Sequence, residues 1–163
     1  MTGITSKSLK ELNRKLKNIS KQFITRSAHK RQEIYNALFE DGNNMRNYII
    51  TSMRNTTRAP WSYRKTKDGK RHHPSMPGSF PAVDTGEGIR SIAADVSMKE
   101  GVRLEIGVNT GAPYLKFLEE GTKRTDARPW LEPTVQEFKP GIINKLEKIV
   151  PTNVVDFFVQ GMK

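Results

Sequence analysis

The sequence has no cysteine among its 163 residues. Disulfide scaffolds, zinc–thiolate sites and thiol nucleophiles are therefore excluded. No segment approaches the roughly 18 consecutive apolar residues of a membrane span, and the start, Met1–Ile4, lacks the apolar stretch of a signal peptide. The hydrophobic fraction is only 35%, so part of the chain is expected to lie outside a compact core. These features favour one soluble domain, or a domain with an appendage, kept in a cytosol.

Positive charge is in excess, and it is unevenly placed. The chain has 28 Lys and Arg against 17 Asp and Glu, a net charge of +11. Residues 1–73 hold 17 basic and 5 acidic side chains, whereas residues 74–163 hold 11 and 12. A basic block of this kind contacts nucleic acid or an acidic protein face, or is a solvated helix face with a basic loop.

The N-terminal region, residues 1–56, is predicted to be helical. A first amphipathic helix covers residues 6–19, and Ser6 or Ser8, with Glu11 as in a capping box, would cap its start. Its apolar positions recur at helical spacing: Leu9, Leu12, Leu16 and Ile19.

A second, long helical pattern runs from about residue 20 to residue 55. Asp41–Asn44 would break or kink it, because Gly and Asn weaken a helix interior. Such a thin apolar stripe among charges predicts packing on a neighbouring subunit or on a small sheet. The stripe consists of Phe23, Ile34, Leu38, Met45, Ile49 and Met53.

Residues 57–88 form a Pro-rich basic loop. Four prolines exclude regular structure over most of it, namely Pro60, Pro74, Pro77 and Pro81. Within the almost wholly polar stretch 64–73, Asp68-Gly69 is a turn signal and predicts an exposed hairpin or loop. The basic residues of this loop are Arg64, Lys65, Lys67, Lys70 and Arg71.

Residues 89–163 are predicted to form an α+β body that begins with a hairpin. Ser91–Met98 and Val102–Val108 alternate as strands, and residues 99–101 make the turn. The alternation predicts one shared apolar face: Ile92, Ala94, Val96 and Met98 against Val102, Leu104, Ile106 and Val108.

The last helix is predicted to start near Pro133 and to end at Pro151, with Pro140-Gly141 as a kink or a split. Its stripe is Val135, Phe138, Ile142, Leu146 and Ile149. The apolar tail, Asn153–Val159, would add an edge strand or dock on a partner.

A short helix, Pro113–Glu120, is predicted between the hairpin and the last helix, with Gly121 ending it. The order of elements gives an α+β fold with a long N-terminal helix, a small antiparallel β-sheet with a hairpin, and a packed C-terminal helix. We expect one structural domain with extended appendages.

Catalytic and metal-binding patterns are weak. His29, His72 and His73 offer too few convergent ligands, since only Asp68 lies near the adjacent pair, so a metal site or a nuclease is not favoured. Gly86–Gly88 lacks the third glycine and the preceding strand of a dinucleotide loop. The sequence therefore favours a protein that is not an enzyme and binds neither metal nor cofactor.

Two adjacent carboxylates, Glu119 and Glu120, do not form an acid–base pair. Neighbouring residues on a helix point apart, so the two would not share one site. A pairing of one carboxylate with a nearby cation is preferred, with three candidates: Lys123, Arg124 and Arg128.

Nucleic-acid binding is the alternative function. Trp61 and Tyr63 could stack on bases while basic side chains neutralise phosphates. The sequence has none of the spacings of a known DNA-binding motif. The cations concerned are Arg54, Arg58, Arg64, Lys65, Lys67, Lys70 and Arg71.

Four segments occur in an informative order: Pro77–Gly86, Arg90–Ile92 before the hairpin, Tyr114–Thr122 and Ala127–Pro133. This ordered set resembles the tail-component family of tailed bacteriophages that includes the minor tail protein Z type. The resemblance covers about residues 5–150. The chain departs from the family pattern at Gly88 (usually Leu), Glu120 (usually apolar or aromatic), Trp130 (usually Phe) and the longer basic insert at 64–73.

The resemblance implies a structural virion protein of the neck, tail-completion or terminator class. Copies would form a homo-oligomeric ring, six-fold by expectation, that joins connector or head-closure proteins to tail-tube or terminator proteins. Such a protein is assembled in the host bacterial cytoplasm, resides in the virion, contacts no membrane and has no enzymatic activity. We expect the basic half to face acidic surfaces of neighbouring subunits or the ring exterior, with DNA close by in the lumen.

The motif residues also have roles that follow from their chemistry. Gly121 would take a backbone conformation that a side chain would strain, and Arg128, before a proline, would be extended. Glu119 would pair with Arg128, and Trp130 would turn into the core. The residues expected to hold the fold or to contact a partner are Tyr114, Phe117, Glu119, Gly121, Thr122, Arg128, Pro129 and Trp130.

Overall fold

The computed structural model describes residues 7–23, 28–59, 64–65, 69, 71–98, 102–109 and 111–149. Within them the fold is α+β, as predicted. None of the described helices combines the length and the apolarity needed to cross a membrane. The elements in chain order are α1 (Lys7–Phe23), α2 (Ala28–Asn55), β1 (Arg64–Lys65), β2 (Arg71–His72), α3 (Glu87–Ser91), β3 (Ile92–Ser97), β4 (Arg103–Val108), α4 (Tyr114–Glu120) and α5 (Leu131–Ile149).

The boundary between the two N-terminal helices differs from the prediction. α1 continues to Phe23, and α2 begins only at Ala28. α2 is then unbroken through Asp41–Asn44, so the predicted break is wrong. Gly42 is buried, and a Cβ there would meet Leu104 Cδ1 at 2.9 Å. The glycine therefore lets α2 approach the sheet closely, and this packing outweighs its low helix propensity.

α1 lies across the start of α5. The Ser8 hydroxyl donates to the Glu132 carboxylate, and the Ser8 N–H donates to the same group at 3.2 Å. Glu11 accepts from Lys139 Nζ at 2.8 Å. The predicted capping box between Ser8 and Glu11 is therefore wrong, because both side chains join α1 to α5 instead. The predicted core positions of α1 are confirmed as buried: Leu9, Leu12 and Leu16.

The hairpin of β3 and β4 has the predicted register. Ile92 pairs with Val108, Ala94 with Ile106, and Val96 with Leu104, which places the predicted apolar set on one face. α2 packs on this face. On the outer side of β4, the Asn13 side-chain amide donates to Leu104 O at 2.9 Å and accepts from Leu104 N–H at 3.1 Å. The predicted turn at residues 99–101 lies outside the described residues.

The polar stretch after α2 forms a second small hairpin. The sequence predicted either a hairpin or a loop here. β1 and β2 are antiparallel, with Arg64 opposite His72 and Lys65 opposite Arg71. Gly69, between them, has a φ of +74°, in agreement with a turn at this position. Asp68 lies outside the described residues.

α5 is a continuous helix, so the predicted split at Pro140-Gly141 is wrong. Pro133 lies in its first turn, as predicted. Buried side chains on both sides of Pro140 keep the helix on α2 and α1: Val135, Ile142 and Leu146. Pro151 and the tail 153–159 lie outside the described residues. The N-terminal helices thus share one core with the hairpin and α5.

Candidate functional site

Glu119 anchors the corner where α4 leads into α5. Its Oε2 accepts from the N–H groups of Trp130 at 2.7 Å and Leu131 at 2.9 Å. Its Oε1 accepts from the N–H of Glu132 at 2.9 Å. The carboxylate thereby satisfies three of the N–H groups that a helix start leaves without partners, and it lies at the positive end of the α5 dipole.

Arg128 ties the Pro-rich loop to this corner. Its guanidinium donates from Nε to Ser75 O at 2.9 Å and from Nη1 to Asp126 O at 3.1 Å. Its backbone N–H donates to Leu118 O at 2.6 Å. The predicted ion pair of Glu119 with Arg128 is wrong. Each charged side chain bonds to backbone groups instead.

Trp130 is wholly buried, as predicted, and so is Leu131. The Trp130 indole Nε1 donates to Leu115 O at 3.0 Å, which fastens α5 to α4. An indole N–H needs such an acceptor when it is buried. A Phe at this position could fill the space but could not make this bond.

Gly121 ends α4 with a φ of +73°, the positive value that the sequence predicted. A Cβ at this position would approach Ala127 N to 3.0 Å, so a side chain would be both strained and crowded. Beyond it, Thr122 and Thr125 exchange backbone hydrogen bonds and close a tight loop. The loop brings Arg128 and Pro129 back beneath α4.

Two motif aromatics face outward on α4. Phe117 is 57% exposed and Tyr114 is 42% exposed, and their spacing places them on the same side of the helix. Tyr114 leans against α3, where a Cβ on Gly88 would meet its hydroxyl at 2.7 Å. Burial of the ring, with added repulsion from Glu87 and Asp84, raises the pKa of Tyr114. The absence of a side chain at Gly88 makes room for this contact.

A cleft of about 730 Å³ opens beside the corner, between the Pro-rich loop, α3 and α4. Arg128 and Ser75 lie in its wall, and both are buried. The Ser75 Oγ has no hydrogen-bond partner among the described residues. Sequence reasoning missed Ser75 because nothing in the residue order indicates that Arg128 would bind its carbonyl, 53 positions away.

The basic residues after α2 are placed only in part. Arg54 and Arg58 are exposed, and Arg58 Nη2 donates to Val83 O at 2.8 Å. β1 and β2 hold Arg64, Lys65 and Arg71. Four further residues of the predicted nucleic-acid surface lie outside the described residues: Trp61, Tyr63, Lys67 and Lys70.

The described part of the chain contains no group of three or more metal-ligating side chains that could hold an ion. His29 is exposed and lies 3.1 Å from Glu33 on the next turn of α2. His73 is half-buried at the end of the second small hairpin. His29 and His73 thus lie in separate parts of the fold.

Comparison of the chain with protein-family models, with curated proteins and with solved structures finds no match.

Proposed function

We propose that the protein is a structural virion protein of a tailed bacteriophage, a ring subunit at the head–tail junction of the neck, tail-completion or terminator class. The main support for the proposal is the structure of the corner where α4 leads into α5. Motif segments that are distant in sequence meet there, and Glu119, Arg128 and Trp130 fix their geometry through backbone bonds. A rigid corner of this kind is suited to hold an interface that must repeat identically in every subunit.

The outward face of α4 supplies the contact surface in this proposal. Phe117 and Tyr114 remain substantially exposed beside the cleft, and aromatic side chains are enriched in the buried centres of protein interfaces. The expected partners are further copies of this chain, followed by connector or head-closure proteins on one side and tail-tube or terminator proteins on the other. No catalytic step is involved.

Native mass spectrometry and electron microscopy of the purified protein, alone and with its neighbouring connector and tail proteins, test the proposal. A closed ring is expected either for the protein alone or for the protein mixed with its neighbouring proteins. Phe117→Ser should weaken ring formation strongly. Phe39→Ser is the matched control, because Phe39 is an exposed aromatic of similar exposure, 48%, on α2. A chain that stays monomeric with all partners present would refute the proposal.

A non-enzymatic nucleic-acid-binding module, using the segment 54–73, is the second candidate. The observation that favours it is the register of β1 and β2, which sets Lys65 directly opposite Arg71. Like charges at such positions destabilise a strand pair, and a bound polyanion would relieve the repulsion.

Fluorescence anisotropy with a DNA duplex at increasing salt tests this second candidate. It predicts sub-micromolar affinity that falls steeply with salt. Changing four loop cations to Gln should remove most of the binding: Lys65, Lys67, Lys70 and Arg71. The matched control changes four exposed cations elsewhere: Lys10, Lys116, Lys123 and Lys148. Equal losses from the two sets would rule out a dedicated binding loop.

A further inference from the structure

The cleft beside the corner contains one buried cation whose bonding is incomplete. Arg128 is 9% exposed, and its hydrogen bonds to Ser75 O and Asp126 O come from Nε and Nη1. These two bonds leave the Nη2 of the guanidinium available to a further acceptor. Ser75, 2% exposed, lies in the same wall, and its hydroxyl also lacks a partner there. A guanidinium that can donate once more, beside a buried hydroxyl without a partner among the described residues, favours a carboxylate as the ligand.

Apolar side chains make up much of the remaining wall: Met53, Pro77, Pro81, Val83, Leu115 and Leu118. The other charged residues of the lining are at the rim and exposed, namely Asp84, Glu87, Arg124 and Asp126. Solvent screens those rim charges far more than it screens Arg128. The cleft is therefore suited to an apolar segment that carries a single carboxylate near its middle.

The chain itself contains a segment of this composition. Residues 153–159 read Asn-Val-Val-Asp-Phe-Phe-Val, with Asp156 as the one charged residue. In an extended segment, alternate residues share a side, so Val154, Asp156 and Phe158 would face the same way. We propose that this segment of a neighbouring copy binds in the cleft, with the Asp156 carboxylate accepting from Arg128 and Ser75 and with Val154 and Phe158 against the apolar wall.

Chain length favours a neighbouring copy over the same copy. α5 has 19 residues and begins three positions after Arg128, so its far end at Ile149 is about 28 Å away. The chain from Ile149 to Asp156 spans at most about 25 Å. Even fully stretched along α5, a copy's own segment would fall short of the start of this helix, whereas a neighbour's segment has no such constraint. The inference deepens the proposed function and rests on its claim that copies associate.

Disulfide trapping tests the inference cleanly, because the chain has no cysteine of its own. Full-length Val83→Cys and Val154→Cys variants, one of them carrying a mass tag, are mixed and oxidised. A disulfide between the two different chains is expected, and the double variant should give a ladder of linked copies. Lys10→Cys, exposed on α1, replaces Val83→Cys as the control and should give little product.

A second variant tests the chemistry of the contact. Asp156→Asn in the trapping pair should lower the yield of the mixed disulfide by about tenfold or more, because it removes the charge that Arg128 would bind. Asp126→Asn, which changes a rim carboxylate, should leave the yield almost unchanged. Equal yields from the two variants would overturn the role of Asp156.

The outcomes separate the inference from the proposed function. Rings without the mixed disulfide would overturn the inference and leave the ring proposal standing. A disulfide that forms only within one chain of the double variant would overturn the assignment to a neighbouring copy. Mixed disulfides in a protein that forms no ring and joins no connector or tail protein would support the inference and count against the proposed function.

Discussion

The corner between α4 and α5 and the contact between α2 and α5 both bury charged side chains, but in different ways. At the corner, Glu119 and Arg128 bond to backbone groups. Between the helices, Asp41 Oδ1 meets Lys145 Nζ at 2.6 Å, and Asp41 Oδ2 has no partner among the described residues. A side chain bound to fixed backbone groups determines the path of the chain, whereas an ion pair mainly adjusts how strongly two finished helices attract each other.

The largest effect is expected from Glu119→Ala at the corner. It should lower the free energy of unfolding by about 3 kcal/mol, because three N–H groups at the start of α5 lose a charged acceptor. Urea denaturation followed by circular dichroism measures this change. The matched control is Glu120→Ala on the exposed side of α4, where a change within about 0.5 kcal/mol is expected. Equal losses in Glu119→Ala and Glu120→Ala would show that the Glu119 cap does not stabilise the fold.

The second largest effect on stability is expected where Gly88 of α3 contacts Tyr114 of α4. Gly88→Leu should lower the free energy of unfolding by about 2 kcal/mol, because its side chain would displace the Tyr114 ring. Loss of burial should also bring the pKa of Tyr114 back towards its ordinary value in a spectrophotometric titration. Gly141→Leu is the control, since a Cβ at Gly141 meets no atom within 4 Å. An unchanged tyrosine titration in Gly88→Leu would contradict the contact.

A smaller loss is expected from Lys145→Met between α2 and α5. The variant leaves the Asp41 carboxylate buried without its cation and should cost about 1 kcal/mol, since the Lys145 side chain is partly exposed. Adding Asp41→Leu should recover most of this loss, because two apolar side chains can replace an ion pair. Thermal melts of the single and double variants measure both the loss of stability and its recovery. A double variant less stable than the single one would show that the pair itself is stabilising.

The smallest effect is a pH dependence at the contact between α1 and α5. The hydrogen bond from Lys139, and then its charge, lowers the pKa of Glu11. The resulting stability is present above the ordinary pKa of glutamate and is lost as the pH falls through the lowered value. The difference in Tm between the protein and Glu11→Gln should therefore shrink on acidification. Glu147→Gln, exposed on α5, should show no such trend.

The sequence allowed the hairpin and the buried Trp130 to be predicted, because both follow from local patterns. Alternation with a period of two predicts which strand residues share a face, and the predicted turn at residues 99–101 then places Ile92 opposite Val108, as observed. An aromatic residue just before a helix start, in an otherwise polar stretch, indicates burial.

The bonds within the candidate site could not be predicted in the same way. Glu119 lies 11 to 13 positions before the N–H groups that it binds, and several cations lie closer in sequence. Whether a carboxylate meets a cation or a helix start depends on the fold of the loop between them. Gly42 was misjudged for a similar reason, since its low helix propensity is visible locally but the sheet packed against it is not.

Asn13 has a consequence for how copies of this chain can associate. Its side-chain amide both donates to and accepts from Leu104, as the backbone of an added strand would. Unprotected strand edges recruit further chains, and growth by that route has no built-in end. With one amide, α1 occupies this position on the outer strand, so the addition of a further strand at Leu104 is opposed.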